Sequence, residues 1–379
     1  MKNTELLYNN IEETCHKKNN NPIKEKLIFK WEIFDQHCIY SLLEHIKWKG
    51  IHNNTTTLYI DLRCRTISDD STIRVFEIIM YDVVLYRKFN IKFNFINHRT
   101  LLNDVLYVNS LLSNFNNKIL DDSYLTAFIK PTITLNQYRR LCKNDERNKS
   151  NEYLSKITND IYMMLKNDSF QENFAEEFSE VCSEIINNAF EHTDGDCLVS
   201  ILFCDSKFKR NYKKIVYLSC ISLTKTFIET KLKEVIIKKK FNRIPGGIIV
   251  KRAFVKHKKM FNEKYDVDDF AHISAFQKYV STRKNSIGTG GTGLTTLIKS
   301  LQVKTFVERS YSYVLSGNKT LYFKNEFLKF APDGTIGFND ASSYFDSIPS
   351  LQTYAKGNRI FPGTIYNIGL LMEKELSNE

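Results

Sequence analysis

The chain has 379 residues, enough for two or three domains, and its 54 Lys and Arg against 43 Asp and Glu give a formal net charge of +11. Hydrophobic residues make up 42% and aromatic residues 13%, so sizeable cores can be buried. The sequence contains no uncharged apolar stretch of about 18 residues and no apolar signal segment at its N-terminus. We therefore expect a cytoplasmic protein that does not act in a membrane.

The eight cysteines are scattered and form no Cys-x-x-Cys pair, and no two histidines have a zinc-binding spacing. This pattern favours reduced, buried thiols over a structural metal site. The net positive charge permits binding to a polyanion without requiring it.

The first part of the chain alternates between predicted helices and strands. After a polar, flexible stretch at 1–22, apolar spacing and β-branched runs predict a helix at 23–49, a strand at 55–64, a helix at 69–90, a strand at 91–97 and a helix at 101–115. This order predicts a small α/β layer domain over 23–140, followed by a charged linker at 141–151.

The segment LYIDL (58–62) stands just before a polar turn and a long helix. With the strand and helix order around it, this segment resembles STAS domains, the modules from which anti-sigma-factor antagonists are built. The resemblance implies an N-terminal module that binds a protein partner and carries a phosphorylatable hydroxyl at the turn before the helix. Ser68, Ser71 and Thr72 all fit that place, and the sequence does not choose among them.

The second part of the chain is predicted to form one α/β domain over 152–375. Its predicted elements are helices at 152–167 and 169–193, strands at 196–206 and 214–224, a basic segment at 231–264, a glycine-rich turn into a helix at 285–301, and strands at 303–308, 319–327 and 363–372.

Glu184, Asn188 and His192 follow one another at four-residue intervals in the predicted helix 169–193. At this spacing the three side chains share one face of the helix, beside an apolar stripe. By spacing alone, a solvated polar edge is the favoured interpretation, and a catalytic face is the alternative.

The segment GTGGTGL (288–294) holds four glycines, Gly288, Gly290, Gly291 and Gly293, with Thr292 among them, and a predicted helix follows. Glycines let the backbone approach an anion, and the N-terminus of a helix offers free N–H groups. The segment therefore fits either a phosphate-binding loop or a merely flexible one.

The helix motif EIINNAFEH (184–192), followed about a hundred residues later by GGTGL (290–294), resembles the GHKL ATPase superfamily, which includes DNA gyrase, MutL-type repair proteins and sensor histidine kinases. FPGTIYNIGLL (361–371) is similar to the last strand of many such domains. The resemblance covers about residues 150–372. It implies a two-layer α/β sandwich, the Bergerat-like ATPase fold, that binds ATP and Mg²⁺.

The resemblance also implies roles for individual residues. Asn188 matches the asparagine that holds Mg²⁺ against the phosphates, and Glu184 matches the general base for the attacking water. His192 is expected near the phosphates. The residues expected to wrap or reach the triphosphate from the lid and the glycine loop are Arg283, Lys284, Gly288, Gly290, Gly291, Thr292 and Gly293.

One departure concerns the adenine-binding box, where the family has Asp-x-Gly-x-Gly. Here Ser222 stands in place of the aspartate, and Thr224 and Thr226 stand in place of the glycines. A serine hydroxyl can still bond to the adenine amino group, but less directionally than a carboxylate. The sequence therefore leaves open a divergent nucleotide pocket or a degenerate one.

The segment 231–264 carries twelve Lys or Arg against two Glu and begins a predicted basic lid insertion over 231–284. It fits a solvated insertion with a short hairpin around IPGG (244–247), a lid that contacts phosphates, or a nonspecific nucleic-acid surface. The last is not favoured, because interleaved aromatic residues are few.

From these features we expect an ATP-binding regulatory protein that acts as a slow, Mg-ATP-dependent switch, with nucleotide and protein partners. Many relatives dimerise, and the sequence leaves open whether this chain forms a homodimer. The alternatives are a non-catalytic interaction module and an anti-sigma-like serine protein kinase.

Overall fold

The computed structural model describes the chain over residues 25–30, 33–52, 57–64, 66–86, 90–95, 105–144, 151–168, 170, 172–192, 195–205, 213–281, 295, 298–299 and 312–373. Helices and strands alternate in the first part of the chain and a larger sheet follows, so the protein is mixed α/β as the sequence predicts.

The first sheet has four strands in the order β1-β3-β5-β6, of which the first three run parallel and the last is antiparallel. A short parallel pair, β2 and β4, lies beside it. The elements are β1 (Glu25–Lys30), β2 (Ile33–Phe34), α1 (Gln36–His52), β3 (Thr57–Arg63), β4 (Thr66–Ile67), α2 (Asp70–Tyr86), β5 (Asn90–Phe95), α3 (Val105–Val108), β6 (Ile119–Leu120) and α4 (Asp122–Ile129).

The predicted strands at 55–64 and 91–97 and the predicted helix at 69–90 are confirmed as β3, β5 and α2. The helix predicted from residue 23 is wrong before residue 36, because residues 25–30 pair with β3 as a parallel strand. Pairing with a neighbouring strand overrides local spacing in this short apolar run.

The helix predicted over 101–115 is interrupted. Only α3 and a 3₁₀ turn at Leu111–Phe115 are helical within its described part. The backbone N–H of Leu111 donates to the Glu77 carboxylate of α2 at 2.7 Å, so this turn begins on a tertiary contact.

The second sheet has eight strands in the order β13-β12-β11-β14-β10-β9-β8-β7, and neighbouring strands run antiparallel. Its strands are β7 (Thr132–Ile133), β8 (Gln137–Cys142), β9 (Cys197–Asp205), β10 (Lys213–Leu223), β11 (Tyr313–Ser316), β12 (Lys319–Tyr322), β13 (Tyr354–Lys356) and β14 (Gly363–Glu373).

This sheet begins before the domain boundary that the sequence predicts. Strand β8 lies within the predicted first domain and linker, yet it pairs along its length with β9. Its sequence QYRRLC looks like a polar surface segment, but the charge of Arg139 is buried against Glu77. The eight-stranded sheet therefore includes residues on both sides of the predicted limit at 140.

Helices cover one face of the eight-stranded sheet, called here the α6 face. They are α5 (Asn151–Asn167), α6 (Glu172–His192), α7 (Thr230–Ile237), α8 (Gly247–His257) and α9 (Val267–Ser274). Helix α6 is amphipathic, and its apolar stripe packs with Val216 and Ile368 in one large core. The hairpin predicted around IPGG is wrong, because residues 244–246 form a turn that leads into α8.

The opposite face of the same sheet, called here the α2 face, packs against the first part of the chain. Fourteen of the seventeen residues of α2 are buried. Phe76 and Ile79 share a second core with Leu198, Ile221 and Ile365 of the sheet. The eight-stranded sheet is thus covered on both faces, and the two parts of the chain share a core.

None of the helices in the described ranges is both long and apolar enough to cross a lipid bilayer.

Candidate functional site

Helix α6 lies along the sheet so that its C-terminal half approaches the ends of β8 and β10. Cys182 neighbours Cys220 of β10. Burial raises the pKa of the Cys182 thiol, and the neighbouring Cys220 adds a smaller increase. Farther along α6, the carbonyl of Phe190 accepts a hydrogen bond from the Asn144 amide at 3.3 Å, just after β8. The four-residue stripe of Glu184 and Asn188 therefore runs toward that end of the sheet.

Glu184 is half-buried and close to Tyr366 of β14, whose pKa is raised by burial, by Cys220 and by Glu184. Asn188, one turn later, is also half-buried. Two oxygen-bearing side chains of one helix are thus presented at the edge of the α6-face core, where the sequence predicted them.

Ser222, the residue predicted to replace the adenine-binding aspartate, is nearly fully buried near the end of β10. It has the same strand parity as Cys220, which packs in the α6-face core, so it lies on that face. Thr364 is its cross-strand partner, and the Thr364 hydroxyl lies 3.2 Å from the Ser316 hydroxyl of β11. Three hydroxyls therefore stand in a row across β10, β14 and β11.

Gly363 permits the close approach of β14 and β10 at this row of hydroxyls. A Cβ atom at Gly363 would lie 2.0 Å from the carbonyl oxygen of Ser222. Only glycine allows β14 to approach β10 this closely.

The two threonines that replace the predicted glycines do not open the backbone. The Thr224 N–H donates to the Pro362 carbonyl at 3.0 Å, and the Thr226 N–H donates to the Thr224 hydroxyl at 2.9 Å. Thr224 is fully buried. These contacts close a local turn. A phosphate or an adenine base here would therefore have to contact side chains instead of free backbone groups.

Sequence reasoning missed a buried charged cluster beside this turn. The Glu229 carboxylate accepts from Lys319 Nζ at 2.8 Å and lies 3.2 Å from His272 Nδ1. Burial would raise the pKa of Glu229, but the hydrogen bond and charge of His272, with those of Lys319, lower it to about 2. His272 Nε2 is buried and has no hydrogen-bond partner among the residues that the structure describes. No local pattern reveals this cluster, because its members stand 43 and 90 positions apart.

Several predicted site residues fall outside the description. The backbone of His192 ends α6, but its side chain is not described. Arg283, Lys284, Gly288, Gly290, Gly291, Thr292 and Gly293 lie outside the described residues. Just after the glycine segment, residues 295 and 298–299 are helical, and Ile298 packs in the α6-face core.

The three candidate phosphorylation residues lie near a cleft of about 440 Å³ on the α2 face, which both parts of the chain line. Ser71 and Thr72 are buried, and the Ser71 hydroxyl donates to Asp69 at 2.7 Å. Ser68 lines the cleft and is only half-buried. Of the three, Ser68 is the most accessible.

The donor atoms on α6 suit a hard cation. A carboxylate and an amide oxygen, one turn apart, match what Mg²⁺ takes when phosphate oxygens and water complete its shell. No cluster of three or more His, Cys, Asp or Glu side chains that could hold a metal occurs among the described residues. Of the two, the Asn188 amide oxygen is the one that the family resemblance matches to the Mg²⁺ ligand.

Comparisons of the chain with protein-family models, with curated proteins and with solved structures found no match.

Proposed function

We propose that the chain is a Mg-ATP-dependent switch of the GHKL, histidine kinase-like type, with a Bergerat-like sandwich built on the α6 face of the eight-stranded sheet. The observation that carries the proposal is the placement of Glu184. It lies on α6 against Tyr366, on the same sheet face as Ser222 at the end of β10. One pocket would then be lined by the general base Glu184, the metal ligand Asn188 and Ser222, which stands where the family recognises adenine.

In this pocket the amide oxygen of Asn188 would hold Mg²⁺, which when bound neutralises phosphate charge. The Glu184 carboxylate would accept a proton from the attacking water. The hydroxyl row of Ser222, Thr364 and Ser316 offers polar atoms where the family has a carboxylate.

Phosphate release from Mg-ATP tests the proposal. We expect Glu184→Ala to lower the release rate about a hundredfold while the ATP-induced rise in Tm persists. Asn188→Ala should lose both the phosphate release and the ATP-induced rise in Tm. Asn187→Ala is the matched control, because Asn187 is half-buried on the same helix but points about 100° away from Asn188. No Tm rise and no labelled-nucleotide binding in the wild type would refute the proposal.

The second candidate is a non-catalytic interaction module. It is favoured by the closed turn at Thr224, whose buried hydroxyl accepts from Thr226 where the family has flexible glycine backbone. A wild-type Tm that stays the same with ATP, GTP or Mg²⁺ would select this candidate over the switch.

A serine protein kinase is the weaker alternative. Ser68 lines the cleft beside Tyr313, which packs in the α2-face core, whereas Glu184 lies on the α6 face. The sheet separates them, so transfer within one chain is disfavoured. Phosphate incorporation into Ser68 from labelled ATP at a rate independent of protein concentration would reverse this ranking.

A further inference from the structure

Helix α8 carries two large apolar side chains on its solvent side. Ile248 is 81% exposed and Val255 is 60% exposed. They stand seven residues apart, so they share one face of the helix. Basic residues lie on the same exposed side, namely Lys251 and Arg252 on the helix and Lys259 in the turn just after it. We call these five residues the α8 ridge.

The ridge is not the packing face of α8. Val250, Ala253 and His257 are buried on the other side, where His257 hydrogen-bonds to Tyr265 and to the Tyr344 carbonyl. Single exposed apolar residues are ordinary on protein surfaces. Two of them aligned in one basic stripe form a small apolar centre with a charged rim, as interfaces do.

A groove of opposite character lies between α5 and α6. It has a volume of about 960 Å³, and its lining includes Leu154 and Tyr162 on α5 and Glu176, Glu180 and Ser183 on α6. Glu176 and Glu180 are exposed. We call this the α5/α6 groove.

The charges of the two surfaces are available for a partner. Within the described ranges, Glu176 and Glu180 of the groove form no salt bridge, and neither do Lys251 and Lys259 of the ridge. Free charges of opposite sign on two surfaces steer association and fix its orientation.

We propose that the α8 ridge of one copy docks into the α5/α6 groove of a second copy. Ile248 and Val255 would enter the groove over Leu154 and Tyr162, and the basic residues would face Glu176 and Glu180. The sizes agree, since the helical part of the ridge from 248 to 257 spans about 14 Å and the acidic side of the groove from 176 to 183 about 11 Å of helix.

The contact is between molecules, because the exposure of Ile248 shows that the ridge does not occupy the groove of its own chain. It joins two different surfaces, so a docked pair keeps one free ridge on one copy and one free groove on the other. Such head-to-tail contacts close into rings or continue as chains. The groove also ends at Ser183, next to Glu184, so docking would adjoin the candidate site.

The test uses the full chain and two sets of substitutions. The ridge variant carries Ile248→Ser and Lys251→Glu, and the groove variant carries Glu176→Lys and Glu180→Lys. Each variant alone should sediment as a monomer at about 50 mM salt, whereas the wild type forms species larger than a dimer. An equimolar mixture should give a one-to-one dimer, because each variant supplies the surface that the other lacks.

The mixed dimer should weaken at least tenfold between about 50 and about 500 mM salt. Leu351→Ser is the matched control, since Leu351 is 82% exposed but lies outside both surfaces, and it should assemble like the wild type. Recovery of a dimer on mixing also shows that both variants are folded.

A monomeric wild type, a mixture that stays monomeric, or either variant assembling alone would overturn the proposal. Retention of the monomeric wild type by duplex DNA or anionic vesicles, lost in the ridge variant, would also overturn it and assign the ridge to a polyanion.

Discussion

Two polar groups on opposite faces of the eight-stranded sheet differ in burial, namely the ion pairs of α2 and the four-residue stripe of α6. On the α2 face, Asp70, Arg74 and Glu77 are buried, and Arg74 pairs with both carboxylates at 2.8 to 2.9 Å. On the α6 face, Glu184 and Asn188 are only half-buried. Charges that neutralise one another inside the protein act on structure, whereas a partly exposed polar group at a core edge can still be reached from solvent.

The α2-face network also joins the two parts of the chain. Arg139 of β8 donates to Glu77 at 3.1 Å and to the Phe128 carbonyl at 2.8 Å. The Glu77 carboxylate therefore accepts hydrogen bonds from two arginines and from the Leu111 N–H. A buried network of this kind is weak evidence for stability in itself, but removing one partner leaves uncompensated charge.

The largest effect should come from breaking this network. We expect Glu77→Ala to lower the free energy of unfolding by about 3–5 kcal/mol, because Arg74 and Arg139 would lose a buried counter-charge. Urea denaturation measures the change. Glu234→Ala is the control, since its pair with Lys238 is more than half exposed and should contribute less than about 0.5 kcal/mol. Equal effects of the two substitutions would mean that the α2-face network is solvated.

The second prediction concerns the charged cluster on the α6 face. The pKa of Glu229 is about 2 in the folded protein, below the ordinary value of 4.5. Because the folded pKa is depressed, the cluster stabilises the protein fully above about pH 4.5 and loses this as pH falls toward 2. The full contribution is about 3 kcal/mol.

The measurement is the difference in unfolding free energy between the wild type and Glu229→Gln as a function of pH. It should shrink by about 3 kcal/mol as the pH falls from about 4.5 toward 2. A difference that does not change across this window would show that Glu229 is not held ionised by His272 and Lys319.

Gly363 allows a test at the hydroxyl row itself. Gly363→Ala should cost about 2 kcal/mol, because its Cβ would collide with the Ser222 carbonyl and force β14 from β10. Gly357→Ala is the control, since the nearest atoms to a Cβ there lie 3.7 Å away. Thermal unfolding compares the two. Nearly equal Tm values would mean that the strand end relaxes without strain.

Sequence patterns predicted the elements in which buried apolar residues recur at a regular helical or strand spacing. Helix α6 and strands β9 and β10 have regular apolar repeats and were placed within a few residues. Strand β8 was missed because Arg139 reads as a surface residue until Glu77 is brought beside it. Glu184 and Asn188 could be placed on one face from the sequence because one helix carries both, whereas the cluster of Glu229, His272 and Lys319 exists only after three distant segments meet.

The smallest effects on stability should come from the residues that matter most for the proposed function. Glu184→Ala and Asn188→Ala should each change the free energy of unfolding by less than about 1 kcal/mol, because each side chain is half-buried at a core edge. Urea denaturation without nucleotide measures this. Either substitution costing as much as Glu77→Ala would make the α6 stripe part of a structural network, as Glu229 is. Small costs, combined with loss of phosphate release, would separate the α6 stripe, as a ligand site, from the buried ion pairs that hold the chain together.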